Sequence, residues 1–200
     1  MSSNSCSTEK VLMKKILALL LLPAVAGCLT ASQPEIALWK LDFVPEAKAK
    51  SELRYGVTRI LQVAVRAPYE SRSLGVLRKD GSMAFDGYNE FAALPSHLLK
   101  GVVYDALKSS GKFAAVISPS SSVRSEYSLE IVFERLVLDC RGETRQASVL
   151  LEMRLVNGAD RTIAALVTGE GVAAATAGDY SAAFSAAVSR ALEAAMAKID

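Results

Sequence analysis

The sequence predicts a single α+β domain, with a mixed, mostly antiparallel sheet and two long helices packed on it. Three observations predict it. Residues 127–172 hold three long runs that alternate apolar and polar side chains, the period of a half-buried strand. Leu98, Leu99, Val102, Val103, Ala106 and Leu107 recur at three- and four-residue spacing, as one face of a helix requires. Tyr180, Ala183, Phe184, Ala187, Val188, Ala191, Leu192, Ala195 and Ile199 form a second, longer stripe, the mark of an amphipathic helix.

The elements follow in order. Residues 36–43 alternate and predict a first strand; Pro45 and the charged stretch 46–52 predict a loop. Residues 59–65 are nearly apolar throughout, as a central strand is, and Pro68 ends it because proline donates nothing to a ladder. Residues 74–78 make a short strand, Asp80-Gly81 turns the chain, and 83–85 pair back as a hairpin. Gly87-Tyr88-Asn89-Glu90-Phe91 reads as a polar loop before the first helix. Ser96 is the predicted N-cap of that helix and Gly111 its stop. Residues 112–117 form a strand and 118–122 a serine-rich loop. In the meander that follows, the apolar parity changes after Phe133, which predicts a bulge near Arg135. Asn157-Gly158 marks a tight connection that runs as far as Asp160, and one face of the meander is buried while the other is wet. Asp179 caps the last helix, whose alanines allow close packing on the domain's own sheet or, as the alternative, on another subunit.

The N-terminal part carries an address. Lys14-Lys15 precede an apolar run that starts at Ile16 and ends in Leu22-Pro23-Ala24-Val25-Ala26-Gly27-Cys28. A basic start, a short apolar run and small residues before a cut site make a secretory signal; a spanning helix needs roughly 20 apolar residues. Val25-Ala26-Gly27-Cys28 resembles the bacterial lipobox, in which the Cys thiol takes a diacylglyceryl group and the chain is cut just before it. The predicted organisation is a signal peptide at 1–27, a lipidated tether at 28–35 and the domain at 36–200, with Met13 as a second candidate start. Cys28 is the expected lipidation site. Leu29, rather than Asp, follows it, which favours the outer membrane, on its periplasmic face.

Charge narrows the partners. The whole chain has 23 basic and 21 acidic residues. Removing residues 1–27, with Lys10, Lys14 and Lys15 against Glu9, leaves 20 against 20. A neutral domain argues against nucleic acid and against a polybasic membrane grip.

Chemistry is sparse. His97 is the only histidine, and Cys140 the only thiol beyond the leader. One His and one Cys do not supply the usual ligand clusters of a metal site. Ser109-Ser110-Gly111-Lys112 lacks the first glycine of a phosphate loop. No catalytic residue, metal or cofactor is expected. Tyr88 and Phe91 are the candidate partner-binding residues; the same two aromatics can instead plug the end of the core.

Residues 61–69 (Leu-Gln-Val-Ala-Val-Arg-Ala-Pro-Tyr), Leu77-Arg78, residues 88–95 (Tyr-Asn-Glu-Phe-Ala-Ala-Leu-Pro) and the helix to Leu107 carry a family resemblance. Together with the lipobox they resemble the auxiliary lipoproteins of ABC-type transport systems, the paraquat-inducible protein C-like group. Leu77 stands where that group commonly has Tyr, and Phe91 where it commonly has Trp. The resemblance implies a non-catalytic role beside an MCE-domain protein, a permease and an ATPase, in lipid traffic between two membranes. A homo-oligomer remains open. The rival readings are an envelope lipoprotein that itself binds a lipid or small ligand, and a structural envelope lipoprotein.

Overall fold

The computed structural model describes residues 35–45, 52–176 and 178–199. The chain order is β1 (Ala37–Trp39), β2 (Tyr55–Val65), β3 (Ser73–Leu77), β4 (Met83–Phe91), α1 (Pro95–Ser110), β5 (Phe113–Ile117), β6 (Tyr127–Asp139), β7 (Gln146–Asn157), β8 (Ile163–Ala174) and α2 (Tyr180–Ala197). All eight strands join one mixed sheet, as the alternation predicts. Its longest ladders, β6 with β7 and β7 with β8, are antiparallel.

The sheet branches at β6. One edge of β6 pairs with β7 along its whole length. The other edge is shared: its first half takes β2 and its second half β3, both parallel. The chain leaves β6 after Val65, passes the cis Ala67–Pro68 bond, and rejoins the same edge further along. The predicted bulge is present, with the register shifting between Phe133 and Arg135.

Both helices cover one face. Leu129, Ile131, Phe133, Leu136 and Leu138 of β6 are buried there, with Val149, Leu151, Met153 and Leu155 of β7. The opposite face carries ion pairs, among them Arg154 with Glu152 at 3.0 Å and Glu130 at 3.4 Å, Arg66 with Glu134, and Arg135 with Glu170.

The last helix packs on the sheet, not on a second subunit. Its whole predicted stripe is buried, and Asp179 accepts a bond from the Ala182 N–H at 3.4 Å, as a cap should. It lies so close to β8 that a Cβ on Gly171 would fall 2.6 Å from the Ala191 nitrogen, and one on Gly169 2.9 Å from the Ala195 nitrogen. Arg190 and Lys198 reach from the helix to the Val172 and Thr168 carbonyls, at 2.5 and 2.7 Å, and occupy acceptors on the otherwise open edge of β8. The buried Lys112 donates to the Ile199 carbonyl at 2.6 Å, placing a cation just past the helix C-terminus.

Several predicted boundaries are corrected. β1 is three residues long, because after Trp39 the chain leaves β4 and turns to α2. β2 begins at Tyr55, where it meets β5. β4 runs to Phe91, through the stretch that reads as a loop. Ser96 is not the N-cap of α1: Leu94 holds that position without a side-chain bond, and Pro95 opens the helix. A remote residue does the capping. Glu70, in the β2–β3 loop, accepts from the Ser96 N–H at 3.3 Å and hydroxyl at 2.5 Å, bringing a carboxylate to the positive helix end. Gly111 ends the helix with φ 69°, as predicted. The two short turns hold acids below their ordinary range of 3.8: Ser82 bonds lower Asp80, and Thr162 bonds lower Asp160.

Candidate functional site

Cys28, the expected lipidation site, lies outside the described residues, as do the predicted signal peptide and most of the predicted tether. The first described residues beyond that stretch are Glu35 and Ile36, leading into β1.

β4 explains where the two candidate aromatics go. Ser73 of β3 opposes Glu90, yet Leu74 opposes Asp86, so residues 87–89 bulge from the ladder. Asp86 holds the bulge, accepting from the Tyr88 N–H at 2.9 Å and the Asn89 side-chain amide at 2.8 Å. Asn89 in turn accepts from the Trp39 indole N–H at 3.1 Å. Bulges re-aim side chains, and this one separates the pair. Tyr88 is 58% exposed, whereas Phe91 is 2% exposed and meets Phe184 of α2 edge-on at 5.5 Å. Phe91 is therefore a core residue and not a partner contact. Alternation places Leu38 on the side away from Trp39 and α2. Leu38, Phe85 and Tyr88 give β1 and β4 three exposed large apolar side chains, and Ile36 just before β1 adds a fourth.

After β1 the chain lies along α2, held by a ladder that the sequence analysis missed. The Ser181 hydroxyl donates to the Lys40 carbonyl at 2.7 Å. The Ser185 and Ser189 hydroxyls accept from the Asp42 and Val44 N–H groups at 3.0 and 2.9 Å. Four helical residues rise about 6.0 Å, and two extended residues span about 6.6 Å, so serines every fourth residue meet every second residue of segment 40–44. Ser-x-x-x-Ser-x-x-x-Ser beside the apolar stripe was the available signal. Ser185→Ala with Ser189→Ala is expected to cost about 1–2 kcal/mol and to speed amide hydrogen exchange at Asp42 and Val44 at least tenfold relative to β7. Unchanged exchange at those two amides would refute the ladder.

A second feature lies on β2. Ile60, Leu61, Gln62 and Val63 form one wall of a cleft of about 420 Å³, with Lys100, Gly101 and Tyr104 of α1 and Ser118-Pro119 around it. Arg59 shapes its end. That guanidinium donates to the carbonyls of Ser118, Pro119, Ser121 and Val123 at 3.4, 3.1, 2.7 and 2.5 Å, and its Nε to the Ser125 hydroxyl at 3.4 Å.

His97 is exposed on α1. Cys140 is partly buried at the end of β6, its N–H bonded to the Leu77 carbonyl at 2.9 Å. Among the described residues no three His, Cys, Asp or Glu side chains are grouped to hold a metal ion, and no helix is long and apolar enough to cross a membrane. The arrangement offers surfaces: an aromatic corner where the chain enters the fold, and a cleft beside a strand edge.

No family model matches this sequence, and no curated protein does. Solved structures do match. One is a Xanthomonas campestris protein whose family model is DUF330, 23% identical with a TM-score of 0.58, covering 78% of this chain and 87% of that one. Another, described only as an uncharacterized protein, is 12% identical with a TM-score of 0.57, covering 82% of this chain and 97% of its own. At these identities the likeness establishes one thing, a shared α+β fold.

Proposed function

We propose that this protein is a lipid-anchored envelope component, held at the periplasmic face of the outer membrane through Cys28. In that role its domain is a non-catalytic auxiliary of an ABC/MCE-type transport system, docking an assembly that moves lipid between two membranes. The observation that carries the reading is the way the chain enters the domain. The stretch that follows Val25-Ala26-Gly27-Cys28 leads into β1 and then a segment held by three serines of α2. An entry held in this way suits a domain joined to an anchor. The motif resemblance supports the transport role, and the shared fold with a DUF330 protein supports the architecture. The partners are an MCE-domain protein, a permease and an ATPase, with Tyr88 as the contact that β4 presents.

A photo-crosslinking residue at Tyr88 of the full-length chain in native envelopes tests this, with the same residue at the exposed Glu143 as the control. The expected result is an MCE-domain protein or permease crosslinked from Tyr88 and not from Glu143. Crosslinks only between copies of this chain, or none, overturn the transport role.

A further inference from the structure

The two long free edges of this sheet are treated differently. On β8, two carbonyls are taken by Arg190 and Lys198, the protection that an exposed edge needs. On β2 no side chain caps the edge among the described residues, and its one irregularity is the register shift at Leu61. β5 pairs with it only as far as Arg59 opposite Ile117, while β2 continues to Val65. Ile60 and residues 62–65 are paired on the β6 side, with Leu61 as the extra residue where the register shifts, and on the other side no strand and no side chain bonds to the backbone of 60–65 among the described residues. β5 ends at Ile117, just before Ser118-Pro119, where proline has no N–H for a ladder. Arg59 holds the loop that follows by donating to four of its carbonyls, and an edge of about 20 Å is left at roughly 3.3 Å per residue.

The cleft lies along that edge. Leu61 is 46% exposed in its wall. On the opposite wall a Cβ on Gly101 would meet nothing within 4 Å. Lys100 is the only charged residue lining it, and its ammonium has no hydrogen bond or ion pair among the described residues. An acyl chain laid here would leave the N–H and C=O groups of the edge without partners, a cost that an extended peptide avoids by bonding to them.

We propose that this edge is a peptide-docking site, where an extended segment of a partner protein adds to β2 beside residues 60–65, in line with β5, and sets an acidic side chain against Lys100. Main-chain bonds supply the affinity and the cleft supplies the preference, as in other cases of strand addition. The inference stands apart from the transport reading, since it concerns β2 and α1 and not the corner around Tyr88.

The test uses the full chain in detergent micelles and two labelled hexapeptides of alternating Thr and Val, one with a central Glu and one with Lys in its place. The Glu peptide is expected to bind at least about threefold more tightly, the scale of one exposed ion pair made against one opposed. It should slow amide exchange within residues 60–65, and Lys100→Glu should reverse the preference. Gly101→Leu should weaken binding at least tenfold while the protein melts no lower, because the new side chain enters open space. Equal binding of the two peptides, unchanged exchange at the β2 edge, or protection of that edge by oleate and not by peptide would each overturn the proposal.

Discussion

Gly171→Val is expected to lower the melting temperature by about 6–12 °C, from a loss of about 3 kcal/mol spread over a chain of this size. Gly171 is on β8 opposite Val149 of β7. A side chain there would run into the Ala187 carbonyl and come within 2.6 Å of the Ala191 nitrogen. Both are helix backbone, so no rotamer change relieves the clash; the helix itself has to retreat. Its retreat opens the seam lined by Ala183, Ala187, Ala191 and Ala195, all buried. Gly87→Ala is the matched control. Its Cβ meets nothing within 4 Å, so the change is expected to fall within about 0.5 kcal/mol. Thermal and denaturant melts of the two variants decide the point. A Gly171→Val protein as stable as the parent would mean that α2 and β8 do not approach this closely.

Cys28→Ala is expected to abolish lipidation of the protein and the cut before residue 28. Stable anchoring takes more than one acyl chain, each buried methylene contributing about 0.8 kcal/mol, and the thiol of a lipobox cysteine is where the diacylglyceryl group attaches. Labelled palmitate should be absent from the variant, which should keep its leader and run larger on a gel than the parent. Cys6→Ala and Cys140→Ala should keep the label and the parent's size. A Cys28→Ala protein that still takes the label, or that is cut at the same place, would overturn the assignment of this thiol.

The parts of the fold that follow from local pattern were legible in the sequence. The stripe from Tyr180 to Ile199, the cap at Asp179, the stop at Gly111 and the parity change near Arg135 each depend on residues close in the chain. What failed depended on residues far apart. Residues 87–90 read as a loop because glycine and asparagine in a polar run are turn chemistry, and a bulge uses the same residues. Only the pairing with β3 distinguishes the two. Ser96 looked like a cap because nothing nearby shows that Glu70 reaches the helix end from 26 positions away. The parallel pairings of β6 with β2 and β3 join strands separated by other elements, and alternation alone carries no record of which strand lies beside which. Of the two candidate contact residues, Tyr88 reaches the surface and Phe91 does not, and the bulge that divides them is itself a product of that pairing.

The ladder on α2 also decides how the domain answers a pull. The segment after β1 runs in the same direction as the helix, since Lys40, Asp42 and Val44 meet Ser181, Ser185 and Ser189 in turn. Tension applied along β1 and this segment therefore loads the bonds of β1 to β4 and those of the segment to the three serines in shear, all at once. Tension applied across them would open the bonds one by one. A chain drawn along its own axis yields only when the whole set gives way together, so the domain resists best a pull directed along residues 37–44.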